Sequence, residues 1–154
     1  MGLQRQERVE HIEFLLREQG CRITPQRMAV VRALVCGSGH ATIEQVYAHL
    51  LETLPMLSLA TVYKTVNLLI DLGEAIEIGS GEAAHYDVLR PYPHPHITCT
   101  CCGAVSDVPL DKMADLQSRA AETTGFEKVT GRLEFWGVCP VCSGSDSQGA
   151  QSGE

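Results

Sequence analysis

Residues 58–88, SLATVYKTVNLLIDLGEAIEIGSGEAAHYDV, decide the fold of the first half of the chain. Ser58 can cap a helix, because its hydroxyl accepts from the backbone N–H groups that open one. Leu59, Val62, Val66 and Leu69 then recur on one helical face, which predicts a helix over residues 59–72 that packs these four inward. Gly73 stops it. Ala75–Ile78 and Ala83–Val88 flank the turn Gly79-Ser80-Gly81 and read as a β-hairpin. A helix feeding a hairpin suggests a winged helix-turn-helix with 59–72 as its reading helix. The outer face carries Ala60, Lys64 and Asn67, with Tyr63 at its flank. A small residue, a cation, an amide and a phenol suit close approach to a major groove. A polar face that simply meets water fits the pattern as well.

Upstream, the chain is helical. Val9, Ile12, Leu15 and Leu16 line one face of residues 5–19, and Gly20 ends that helix. Thr24-Pro25 is a start signal, since Pro at the first turn lacks only an N–H that would go unpaired. Met28, Val31, Leu34 and Val35 follow at helical spacing until Gly37-Ser38-Gly39. Thr42 with Gln45 makes a capping box for a third helix lined by Val46, Leu50 and Leu54 and ended by Pro55. Arg22, Gln26 and Arg27 lie at the junction of the first two helices, where cations and amides can hold phosphates or merely face solvent.

Downstream, the reading is strand His96–Cys99, strand 104–108, helix 110–123 with Leu110, Met113 and Leu116, and strand 128–138. This is a small α+β domain. Cys99-Thr-Cys-Cys102 and Cys139-Pro-Val-Cys142 are two C-x-x-C pairs. Each sits at a turn, and together they complete a tetrahedral thiolate shell for structural Zn²⁺. Such a shell has no open position for chemistry. Cys21, Cys36 and Cys101 are read as partly buried non-ligands. His94-Pro-His96 sets two imidazoles on one side of an extended segment. Asp107 lies on the next strand, Asp87 at the end of the hairpin and His40 between two helices. Imidazole with carboxylate suits Fe²⁺, Mn²⁺ or Zn²⁺. His11, His49 and His85 are read as ordinary capping or solvated side chains.

The whole chain has 154 residues and a formal net charge of -7, from 12 Lys+Arg against 19 Asp+Glu. That excludes a generally basic coat for nucleic acid, but not a local face, because charge is sorted along the chain. Residues 1–36 carry six Arg against four Glu, whereas residues 81–154 carry five Lys+Arg against ten Asp+Glu. The composition is 44% hydrophobic, enough to build a core. No apolar run reaches the ~18 residues of a membrane span, and MGLQRQERVEHIEF is too polar for a secretory signal. The expected location is the cytoplasm, whose reducing conditions favour zinc thiolates over disulfides.

Taken together, His94-x-His96-x-x-Cys99-x-x-Cys102-Gly-x-x-x-Asp107, Cys139-x-x-Cys142 and Ser58-Leu-Ala-Thr-Val-Tyr63 resemble the ferric uptake regulator (Fur) family. Gly20-Cys-Arg22-Ile-Thr24-Pro-Gln-Arg27 resembles that family's entry to the second helix, and the likeness spans residues 10–142. It implies a homodimer that binds palindromic, A/T-rich double-stranded operators in a metal-dependent way and represses transcription. It implies structural zinc on Cys99, Cys102, Cys139 and Cys142. It also implies a regulatory Fe²⁺ or Mn²⁺ site of His40, Asp87, His94, His96 and Asp107. Tyr63 would contact a base and Arg22 the backbone or minor groove. Asp at both 87 and 107 resembles the peroxide-responsive (PerR-like) branch, where bound Fe²⁺ leads peroxide to oxidise a ligand His, here His40 or His94. The seven-residue step from Asp87 to His94 resembles the iron-uptake branch instead. Pro95 and Gly131 stand where metal-binding members carry Asp and His, so no third metal is expected.

The expected organisation is α+β: a winged-helix DNA-binding domain over 1–84, a hinge over 85–93, a dimerisation and metal-binding domain over 94–142, and a disordered tail over 143–154. The expected function is that of a peroxide-sensing repressor and not an enzyme. An iron or manganese uptake regulator is the alternative. A metal-dependent hydrolase is more remote, lacking a general base beside an open zinc position, and a zinc-stabilised interaction module would bind DNA, if at all, without regard to Mn²⁺.

Overall fold

A computed structural model describes residues 2–37, 39–79, 84–90, 92, 94–110 and 112–145. The chain divides into two compact units, Met1–Tyr92 and Pro93–Glu154. Among the described residues no helix is long and apolar enough to cross a membrane.

In the first unit, helices α1 (Gly2–Glu18), α2 (Pro25–Cys36), α3 (Ile43–Leu51) and α4 (Leu59–Asp71) are joined by short caps. Their starts follow from side-chain capping. Thr24 Oγ1 accepts from Arg27 N at 3.2 Å, and Ser58 Oγ accepts from Thr61 N at 3.2 Å. Thr42 and Gln45 form a complete capping box, each side chain accepting from the other's backbone N–H at 3.2 and 2.9 Å. Gly73 takes a left-handed φ of 72°, which lets Glu74 N close back onto Leu69 O at 2.8 Å and turns the chain out of α4.

The helices pack α1 on α2, α2 on α3 and α4, and α3 on α4. Their apolar faces close a core that includes Ile12, Leu16, Val31, Val35, Val62 and Leu69. Leu59 departs from expectation: at the first turn of α4 it lies beyond the reach of that core and is exposed. α3 ends at Leu51, before Pro55, because the chain leaves the helix through a turn at Glu52-Thr53.

Strands β2 (Ile76–Ile78) and β3 (His85–Asp87) form the expected hairpin. The expected turn residues Ser80 and Gly81, with Ala83, lie outside the described residues. A short strand not foreseen in the sequence, β1 (His40–Ala41), adds to the other edge of β3, giving the order β1-β3-β2. Residues 85–87 therefore belong to a sheet rather than to a hinge. Arg8 on α1 ties this sheet to the helices. Its Nε donates to Val88 O at 2.8 Å, its Nη2 donates to Glu74 O at 3.0 Å, and Nη1 pairs with the Glu74 carboxylate.

The second unit holds a three-stranded sheet in the order β5-β4-β6. Strands β4 (His96–Cys99) and β5 (Val105–Asp107) form an antiparallel hairpin. Helix α5 (Met113–Thr124) then crosses over to β6 (Glu134–Gly137), which lies parallel to β4. The expected strand 128–138 is shorter, because only 134–137 find ladder partners on β4. Leu110 precedes α5, and both it and Leu116 are exposed. The tail is expected from 143, but residues 143–145 are helical. Helix α6 (Pro140–Ser145) carries the chain to Ser145, and the remainder, 146–154, lies outside the described residues.

Candidate metal centres and reading face

The cysteine cluster is built where β4 ends. Gly103, at a left-handed φ of 73°, folds the knuckle so that Gly103 N donates to Cys99 O at 2.9 Å and Cys99 N to Ala104 O at 2.8 Å. The parallel register Cys99↔Gly137 then delivers the chain leaving β6 to the same place. Pro140 opens α6, and Cys142 returns on its first turns. The ligand atoms of Cys99, Cys102, Cys139 and Cys142 all lie within 4.8 Å of one another.

Backbone N–H groups favour a thiolate there. Cys99 Sγ accepts from Cys139 N at 3.3 Å and from Cys101 N at 3.4 Å. The N–H groups of Cys102, Cys139 and Cys101, in that order, bring its pKa down to about 6. Cys142 moves the other way, its thiol pushed up by Cys139 first and Cys102 next. Sulfurs this crowded cannot all shed protons without a cation. Tetrahedral Zn–S bonds of ~2.3 Å imply sulfur–sulfur edges of ~3.8 Å, and Cys102 Sγ and Cys139 Sγ stand 3.8 Å apart. The donor set fits zinc. Of the other three cysteines, Cys21 is half-buried as expected, but Cys36 and Cys101 differ from expectation and are exposed at a helix end and a turn tip.

The imidazoles and carboxylates form two groups, one in each unit. In the first unit, β1 sets His40 opposite Asp87 in the β1–β3 register. His40 Nε2 lies 3.8 Å from Asp87 Oδ2, and Asp87 is buried. Asp87 Oδ1 accepts from Leu89 N at 2.8 Å and Arg90 N at 3.0 Å, which fixes the rotamer and directs Oδ2 to His40. In the second unit, the β4–β5 register sets His96 opposite Asp107. His94 Nε2 lies 3.1 Å from Asp107 Oδ1, His96 Nε2 lies 3.7 Å from the same oxygen, and the two rings stand 4.2 Å apart. A carboxylate with converging ring nitrogens, on buried and half-buried side chains, is the chemistry of a divalent first-row ion.

The model of the ferric uptake regulator family matches residues 18–136. The chain is 32% identical over 127 residues to the peroxide-responsive repressor PerR of Staphylococcus epidermidis, covering 82% of this chain and 85% of that one. The chain belongs to the ferric uptake regulator family. Among solved structures, a zinc-bound manganese uptake regulator is 31% identical, with a TM-score of 0.64 and coverage of 82% of this chain and 97% of that one. The Helicobacter pylori ferric uptake regulator, described as having three functional metal-binding sites, shares the fold at 17% identity, with a TM-score of 0.76 and 96% of each chain covered.

The residues expected to form the reading face lie together on α4. Ala60, Tyr63, Lys64 and Asn67 are all exposed on α4, opposite buried Val62, Val66 and Leu69. Thr65, not singled out in the sequence, is buried on the inner face and satisfies its hydroxyl on Thr61 O at 2.8 Å. Arg22 and Gln26 are exposed, while Arg27 turns its guanidinium back onto the Arg22 carbonyl. Sequence reasoning missed Glu44. It lies on α3, and its Oε1 accepts from the Tyr63 hydroxyl at 3.0 Å. The signal was a lone acid in a capping-box turn, which points first to the helix dipole.

Proposed function

We propose that this chain is a metal-dependent, homodimeric transcriptional repressor that senses peroxide, acting in the cytoplasm as a regulator and not as an enzyme. In this reading Cys99, Cys102, Cys139 and Cys142 hold a structural zinc ion, and His40, Asp87, His94, His96 and Asp107 share one regulatory Fe²⁺ or Mn²⁺. The single observation that carries it is that each unit presents a cross-strand His–Asp pair, and neither supplies a full shell. His40 and Asp87 offer two donors; His94, His96 and Asp107 offer three. His94 follows Asp87 by seven residues, a tether of at most ~25 Å, so one ion can recruit both sets.

A shared ion makes occupancy a statement about pose. Filling the site favours the arrangement in which α4 of each protomer meets successive half-sites on one face of a palindromic operator. Linkage then requires that metal and DNA tighten each other's binding. The second protomer is supported by the second unit's exposed Ile97, Leu116, Phe135 and Trp136, which a partner would cover. Arg22, Gln26 and Arg27 would hold phosphates while Ala60, Tyr63, Lys64 and Asn67 face the groove.

Fe²⁺ held by these residues would promote cleavage of the peroxide O–O bond, so that one oxygen enters a ligand imidazole in place of its ring C–H, the imidazole giving up two electrons, and the other leaves as water. His40 and His94 are the imidazoles assigned to that fate. An imidazole that gains oxygen is a poor donor, so its unit lets go and the operator is released. The carboxylates of Asp87 and Asp107 hold the same ion without being consumed. The test is operator binding with Mn²⁺ and with Fe²⁺, each with and without peroxide. Loss confined to Fe²⁺ with peroxide, together with a mass gain of one oxygen on the His40 or His94 peptide, is the expected outcome. Persistence in all four samples selects the second reading, a manganese or iron uptake regulator, which the likeness to the manganese uptake regulator favours. In His40→Ala, metal should still bind weakly, and its coupling to DNA should largely vanish. Wild-type coupling in that variant would remove His40 from the shared site.

A further inference from the structure

Tyr63 and Glu44 are nineteen residues apart in sequence, on neighbouring helices, and both are exposed, yet the phenol donates to the carboxylate at 3.0 Å. A phenol has a single O–H and two acceptor lone pairs. With its hydrogen committed to Glu44, what it offers to anything arriving from solvent is an acceptor. Glu44 stays charged to do this. Its own backbone N–H, at the opening of α3, holds its carboxyl below the ordinary range, and the hydroxyls of Tyr63 and Thr42 add to that. Buried Tyr86 on β3 senses the same groups, its hydroxyl held up by burial first and then by Glu77, Tyr63 and Glu44.

The major groove distinguishes acceptors from donors sharply. The N7, O6 and O4 atoms of the bases accept, and only the exocyclic amines, adenine N6 and cytosine N4, donate. A phenol free to rotate can meet either kind. One whose hydrogen is held elsewhere can meet only an amine. We propose that Glu44 is a specificity-determining residue, which holds the Tyr63 hydroxyl proton so that the phenol oxygen selects a base bearing a major-groove amine, adenine or cytosine. The proposal rests on α4 being the DNA reader. Glu44 also sets a negative charge beside the groove-facing phenol, which penalises duplexes that offer phosphates without setting an amine opposite the phenol.

The two effects separate by substitution. Glu44→Gln keeps an acceptor for the phenol and removes the charge, and Glu44→Ala removes both. The experiment is selection from a random-sequence duplex library by the full-length, Mn²⁺-loaded protein, with affinity for a non-specific duplex measured in parallel. Wild type should enrich one position per half-site in adenine or cytosine on one strand. Glu44→Ala should open that position to guanine and thymine and tighten non-specific binding several-fold. Glu44→Gln should tighten non-specific binding to a similar extent and keep the base preference. Tyr63→Phe should lose the preference. If Glu44→Ala keeps the wild-type preference while Tyr63→Phe loses it, Glu44 has no part in selection and the proposal falls. If Tyr63→Phe also keeps it, the phenol reads no base and the proposal falls with it. If wild type enriches no sequence at all, the assignment of α4 as reader fails first, an outcome distinct from both.

Discussion

The first unit seals Ile12, Leu16, Val31, Val62 and Leu69 from solvent, whereas among the described residues of the second only Pro95, His96 and Cys99 are buried. No residue of α5 is buried, and Trp136 remains 65% exposed. The first unit is held by its hydrophobic core. The second has secondary structure without a core of its own, so something else must hold it. Two devices are available, the four-cysteine cluster and the cover that a second copy would give. The contrast also divides the chemistry. In the proposed function, the unit with the closed core would present the reading helix, and the unit that leans on metal and partner would be the part that responds.

The sharpest way to break this contrast is to remove zinc. Structural zinc can contribute ~10–16 kcal/mol of apparent binding free energy, which exceeds what the few buried residues of the second unit can replace. Cys142→Ser, or prolonged chelation, should abolish the fold of residues 93–154 and leave that of 1–92 intact. Amide hydrogen exchange checks it: protection should vanish in β4–β6 and persist in α2 and α4. Protection that persists in both would mean that the second unit has a core of its own.

A smaller effect sharpens it from the other side. Leu69→Ala should destabilise the first unit by ~2–5 kcal/mol, because it leaves a cavity in a closed core. Thermal unfolding of the first unit should show that loss equally at low and high protein concentration. Trp136→Asp should act differently. A buried interface tryptophan is commonly worth ~2 kcal/mol or more, so dimer dissociation measured by sedimentation should strengthen ~30-fold or more. Its destabilisation should fade as the wild-type dimer is diluted. Concentration-independent loss in Trp136→Asp would place the tryptophan in a monomer's core after all.

The same contrast explains what was legible in the sequence. Where local chemistry sets the structure, the reading held: Thr24, Thr42 and Ser58 cap helices, and Val62, Val66 and Leu69 face inward. Leu59 shares their spacing but sits at the first turn, where periodicity says nothing of whether a core extends that far. The pairing of β1 with β3 was invisible, since two residues carry no alternation; only the fold sets His40 opposite Asp87. In the second unit, Leu110, Met113 and Leu116 suggested a helix by their apolar spacing, which marks a face to be covered without saying by what. The cysteine pairs were legible because metal ligation constrains spacing tightly. Glu44 was not, because its partner Tyr63 is close only through the packing of α3 on α4.

The smallest predicted effect tests whether the rigid unit also holds its part of the regulatory site. Thr42 follows β1 directly, and its capping box anchors the start of α3 one residue after His40-Ala41. Thr42→Ala removes that anchor, and the loss of such a cap costs ~1 kcal/mol. The first unit's core should absorb this as a slight drop in thermal stability. If β1 is held against β3 mainly by its two-residue ladder, Mn²⁺ affinity should not change. If instead the cap holds His40 in register with Asp87, Mn²⁺ should bind more weakly by up to ~5-fold, the equivalent of that 1 kcal/mol. A ladder this short cannot fix a side chain against thermal fraying alone, so the weaker binding is the expected result. Isothermal titration of Mn²⁺ into the variant and the wild type decides between them.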